Sequence, residues 1–159
     1  MNYLKISLGI FTFLAISRFV PHPPNFTSLQ TLSFYVPLIF GVRYIPIIVF
    51  SYFITDMYFG FHSTLFFTWS SVVIIGIMSK YFNNNFKIRI LGALFGAFLF
   101  YLISNFGVWI NGYYGYSFEG LINCFTLAIP FFAYSMISTF IFSSIVEFFL
   151  QQRFFFKIL

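Results

Sequence analysis

Three prolines in four positions end the first apolar stretch of this chain and fix how the rest can be arranged. They stand in Arg18-Phe19-Val20-Pro21-His22-Pro23-Pro24-Asn25-Phe26-Thr27. Each proline lacks an N–H, clashes with the preceding turn and pushes the residue before it out of helical space. A helix that reaches Arg18 must stop there, and another must begin after Asn25. The turn places an arginine, a histidine and an asparagine at the mouth of an apolar span. That combination reads as a short lid over a binding site at one membrane face.

The membrane follows from the balance of apolar and charged residues. Of 159 residues, 60% are hydrophobic and 7% charged, where a soluble domain carries roughly a quarter charged residues. So much apolar surface cannot be hidden inside so small a globule, and lipid must cover most of it. The fold class is all-α, a polytopic membrane protein forming one integral domain over residues 1–159. The net charge of +5 is spread without a basic run, so it carries topology information and gives no reason to expect nucleic-acid binding. The single cysteine, Cys124, excludes an intrachain disulfide and reads as a small packing residue. The 29 phenylalanines suit lipid-facing positions, and no chemistry needs them.

Six spans are expected, over about 3–20, 26–41, 44–59, 64–79, 90–110 and 131–149. A cleaved leader is the competing reading of the first, because Lys5, an apolar run and Ala15-Ile16-Ser17 fit one loosely. Thr27 or Ser28 can cap the second span, and Pro37 is expected to kink it. Pro46 is tolerated in the first turn of the third. Residues 80–89, with Asn83, Asn84 and Asn85 among their charges, form the one solvated connection. The segment from Glu119 to Leu150 exceeds one span of about 20 residues. Pro130 divides it into an interfacial or broken segment and the last helix.

An even number of crossings puts both termini on one side. Lys5, Arg43, Lys80, Lys87, Arg89, Arg153 and Lys157 then share that side, and Arg18 alone lies opposite. This bias makes the first side cytoplasmic, in a bacterial inner membrane. The outer face then gathers Arg18, His22, Asn25, Asp56, His62, Asn105, Trp109 and Asn111 as candidate substrate-binding residues, with Glu119 and Trp69 nearby. Charges near a membrane usually pair or serve a site. Arg18 and Asp56 end the first and third spans, so they form an ion pair or Arg18 holds an anionic or carbonyl group with its fork. His22, His62 and Asp56 are chemically suited to a divalent ion, but their separation gives no spacing signature, and no metal is assigned. Tyr101, Asn105 and Trp109 recur every four residues on one helix face. Asn105 needs an interhelical or a ligand partner. Trp109 and the tyrosines at 113, 114 and 116 form an interfacial belt or an aromatic cage.

Gly92 and Gly96 interleave with Ala93 and Ala97, and Ser135, Thr139 and Ser143 repeat the same spacing. Small residues four apart let backbones approach closely, inside the chain or against a partner subunit. Phosphate-loop, metalloprotease, serine-elbow and cysteine-cluster motifs are absent, so no enzyme and no cofactor is expected. Uphill movement of a solute would need energy from another subunit.

The Arg18-to-Thr27 segment resembles the signature of a family of uncharacterised bacterial transport-type proteins. Matching pieces follow in order: Asp56-Met57-Tyr58-Phe59-Gly60-Phe61-His62, Ser104-Asn105-Phe106-Gly107-Val108-Trp109, and Gly120-Leu121-Ile122-Asn123-Cys124 leading to Ala128-Ile129-Pro130-Phe131-Phe132. That family is similar in turn to the substrate-binding S components of energy-coupling-factor vitamin transporters. The resemblance implies six helices, an outward site closed partly by the loop between helices one and two, and docking on a transmembrane coupling subunit that carries two ATPases. Those subunits often pair small residues on helix one, whereas Ser7, Gly9, Thr12 and Ala15 show no four-residue pairing here. The expected function is capture of a vitamin-like small molecule at the outer face. The alternative is a structural membrane subunit of a cell-envelope complex.

Overall fold

The structure is a computed structural model that describes residues 3–152. Arg153 and Lys157, two of the charges expected on the cytoplasmic side, lie outside the described residues. The chain is all-helical: α1 (Tyr3–Phe19), α2 (Leu29–Phe40), α3 (Ile45–Phe59), α4 (Leu65–Met78), α5 (Phe86–Ile110), α6 (Phe118–Leu127) and α7 (Ile129–Gln151). Among the described residues four segments are long and apolar enough to cross a membrane, at Val42–Phe59, Leu65–Phe82, Phe86–Ile110 and Ile129–Gln151. Only 22–39% of each is buried by the protein itself, so the remaining apolar surface needs a lipid cover.

The remaining helices differ from a uniform set of spans. At 1.5 Å per residue, the 12 residues of α2 extend about 18 Å, well short of a hydrocarbon core of about 30 Å. The proline turn delays its start to Leu29, and Gly41, at φ 93°, ends it. Every residue from Leu29 to Pro37 is buried. This helix is therefore a central pillar with protein on all sides. Phe34 lies against Gly92 and Phe82, Pro37 beside Gly76, and Thr31 donates to the Thr139 carbonyl of α7 at 3.3 Å.

Caps explain the other boundaries. The Asn85 side chain accepts from the Ile88 N–H at 3.1 Å, so α5 begins at Phe86 and takes up Lys87 and Arg89, which the sequence suggested as a loop. Ser117 caps α6 by accepting from Gly120 N–H at 3.0 Å. Ser28 occupies the cap position of α2, but its side chain makes no cap bond. It bonds instead to Ser17 of α1 at 2.8 Å, which ties the two helices across the proline turn. Asn25 takes φ 63° within that turn, a conformation asparagine tolerates better than most residues.

The helices alternate in direction and so define two ends. At the proline-turn end Phe19 packs on Phe59 and Ser63 meets the Tyr113 hydroxyl at 3.0 Å. At the opposite end Tyr3 stacks on Tyr44, with ring centroids 4.8 Å apart. There Arg89 grips Glu147 with two bonds of 2.6 Å, and Tyr35 donates to the same carboxylate at 2.9 Å. Three helices, α2, α5 and α7, are joined by this one carboxylate. α6 runs beside the second half of α5, where Tyr101 donates to the Phe125 carbonyl at 2.7 Å. α7 continues after a break at Ala128, with Pro130 in its first turn.

The small residues face inward. Ala93, Ala97, Thr139 and Ser143 have no exposed surface and Ser135 almost none. A Cβ on Gly92 would meet the Phe82 ring at 2.6 Å, and one on Gly96 would meet Ile75 at 3.0 Å.

Gly120 is the tightest position. A Cβ there would lie 2.2 Å from the Tyr114 carbonyl oxygen and 2.7 Å from that of Gly115, both backbone atoms that cannot turn aside. Gly120→Ala should lower stability by about 1–3 kcal/mol. Gly9→Ala, where nothing lies within 4 Å, should not; paired thermal melts in detergent check this. Glu147→Ala strands Arg89 and should cost about 3–5 kcal/mol, read in the same assay.

Candidate functional site

The site is built from the end of α1 outward. Arg18 is the last polar residue of that helix, and the proline turn leaves its side chain beside α3. Its Nη1 donates to Asp56 Oδ1 at 2.7 Å, to the Thr55 hydroxyl and to the Tyr52 carbonyl at 3.5 Å. The guanidinium lies over the Tyr52 ring at 4.6 Å and the Phe59 ring at 5.3 Å, within the range of cation–π attraction. All three hydrogen bonds leave from one nitrogen. Among the described residues none uses Nη2 or Nε. Asp56 is 1% exposed, and its second oxygen accepts from Trp69 Nε1 at 3.0 Å. The carboxylate is thus fully occupied, and it fixes Arg18 from behind.

In front of Arg18 lies a hollow of two chambers, of about 400 and 320 Å³. Arg18, Asn25, Tyr52 and Phe100 line both, so the chambers adjoin. The first is completed by the proline turn, including His22, and by Gln30 at the start of α2. The second runs between α4, α5 and α7 and adds His62, Thr68, Asn105 and Ser135. Volumes of this order suit a small organic molecule.

Of the residues singled out from sequence, Arg18, His22, Asn25, His62 and Asn105 line the hollow, and Asp56 supports it without lining it. Trp109 and Asn111 lie outside. Trp109 Nε1 donates to the Ser117 carbonyl at 3.3 Å, and Asn111 donates to the Gly107 carbonyl at 2.7 Å and to Ser63 at 3.4 Å. Both fasten loops to the end of α5. Asn105 donates to the Tyr101 carbonyl of its own helix at 2.8 Å. His22, His62 and Asp56 do not converge: His22 Nδ1 pairs with the Pro23 carbonyl at 2.7 Å, His62 Nδ1 with Thr64 at 2.8 Å. No cluster of three metal-type ligands occurs among the described residues.

Sequence reasoning passed over Gln30, Tyr52 and Thr68, and read Ser135 only as a helix-packing residue. Gln30 is the most informative of these. It is 2% exposed, and its amide oxygen has no hydrogen-bond partner. Native proteins pair nearly all such atoms.

Residues 2–155 match the profile of DUF6580, a family of unknown function. The chain belongs to that family. No curated protein and no solved structure matches the chain. The family match covers the proline turn, the Arg18–Asp56 pair and every residue lining the hollow.

Asp56→Ala removes the buried partner of two donors at once. It should destabilise the protein by about 3–5 kcal/mol. Thr55→Val, which deletes one acceptor of Arg18, should cost about 1 kcal/mol. Thermal melts of both variants in one detergent check the ranking.

Proposed function

We propose that this chain is a membrane solute-uptake component that captures a vitamin-like small molecule at its outward face. The observation that carries this reading is the two-chambered hollow in front of Arg18, two of whose nitrogens have no partner among the described residues. In this reading α1, α2, α3, α4, α5 and the α6–α7 pair make six crossings. The short α2 is permitted because protein surrounds it, and non-spanning backbone at membrane depth is tolerated where protein covers it. The α6 piece lies against the outer half of α5 and precedes the last full-length helix. Lys5, Arg43, Lys80, Lys87 and Arg89 belong to the end opposite Arg18, which makes that end cytoplasmic, with both termini there, in a bacterial inner membrane.

Capture proceeds from the outside. The Pro21–Asn25 turn forms the rim of the first chamber. Its prolines restrict it to few conformations, so it moves as a unit. Transport against a gradient is energised by a separate coupling subunit that carries ATPases. The small residues of α5 and α7 are occupied inside the chain, so such a subunit docks on another face.

Mass spectrometry of small molecules that copurify in mild detergent tests the reading. Wild-type protein should retain one compound at near-stoichiometric amounts. Arg18→Lys and Asn105→Ala should each lower its occupancy about tenfold, the loss expected for one hydrogen bond to a charged or buried group, while eluting as the wild type does. Empty wild-type protein, or undiminished occupancy in both variants, would overturn it.

A further inference from the structure

Resting on the capture reading above, we infer the ligand's chemical class: an organic anion with a flat ring that presents an N–H to Gln30. Three observations converge on this class.

The first is charge. No acidic side chain lines either chamber. Asp56 lies behind Arg18 with both oxygens occupied, Glu147 is bonded at the opposite end, and Glu119 is exposed on α6. A cationic ligand would find no counter-charge there. A carboxylate finds the two uncommitted nitrogens of Arg18, which match its geometry.

The second is the orphaned acceptor. Gln30 lines the first chamber, and its Oε1 is buried without a partner. The last torsion of a glutamine is soft, and among the described residues the Gln30 side chain makes no hydrogen bond that turning its oxygen toward the chamber would break. Left unpaired, the oxygen carries the desolvation penalty of a buried polar group. A ligand N–H removes that penalty, and a ligand lacking one does not.

The third is shape. Tyr52 and Phe100 stand at the junction of the chambers, with Tyr101 and Phe132 in the second. Aromatic walls favour a flat ring between the two polar anchors.

Three isosteric probes test the class by thermal shift in detergent: indole-5-carboxylate, indole-5-carboxamide and benzothiophene-5-carboxylate. The first has anion and N–H, the second lacks the anion, and the third lacks the N–H. Wild-type protein should bind the first roughly tenfold more tightly than either analogue. Gln30→Leu should erase its advantage over the benzothiophene acid and leave the advantage over the carboxamide. Arg18→Lys, which keeps a cation beside Asp56, should do the reverse. Equal binding of all three probes, no binding of any, or preferences that survive the matching substitution would overturn the assignment. Copurification of a neutral or cationic compound would overturn the class while leaving capture intact; empty protein would remove capture itself.

Discussion

The structure depends on one short helix enclosed by the others. Nine consecutive residues of α2 are buried, and α1, α3, α4, α5 and α7 wrap around it. Such a helix carries a polar burden that lipid-facing helices avoid, because Gln30, Thr31 and Ser33 go inside with it. Buried polar groups must be bonded, and their bonds knit the bundle. Ser33 bonds back to Leu29 within the helix at 2.7 Å, Thr31 reaches α7, and the Tyr35 hydroxyl reaches Glu147. The Ser28 hydroxyl, just ahead of α2, reaches α1. Within α2 the Gln30 oxygen departs from this rule among the described residues, at the position where the helix borders the hollow, as does the Thr139 hydroxyl on α7.

Two buried ion pairs sit at the two ends of the bundle, and they are built differently. Arg89 meets Glu147 with both arms of its fork. Arg18 meets Asp56 with one nitrogen, and Trp69 takes the other carboxylate oxygen. Desolvating charge is costly, and a pair repays it only when its hydrogen bonds are well satisfied. The Arg89 pair meets that condition with protein atoms alone. The Arg18 pair meets it on the carboxylate side and leaves two of the cation's nitrogens without a partner among the described residues. In a chain with three acidic residues, that asymmetry distinguishes the two pairs.

Much of this was legible in the residues. The prolines at 21, 23 and 24 mark the end of α1, and apolar runs locate the four long segments. Arg18 and Asp56 were readable as partners because both fall at the same ends of alternating spans. What the sequence hid depends on wrapping in three dimensions. Gln30 follows Thr27, Ser28 and Leu29, so it resembles an ordinary helix start, and only the encirclement of α2 makes it buried. Tyr52 and Thr68 look like routine residues in apolar helices. The spacing of Tyr101, Asn105 and Trp109 put them on one face, but the face turns from chamber to loop before Trp109. Lys87 and Arg89 looked like loop charges, whereas the Asn85 cap starts α5 about one turn earlier than expected.

The grip of Arg89 on Glu147 also gives the bundle a floor. It draws the far ends of α2, α5 and α7 together, directly below the helix that borders the chambers. In the capture reading proposed above, a molecule entering beside the proline turn would meet this floor, and delivery to the other compartment would require either that the floor part or that the bundle tilt as a whole.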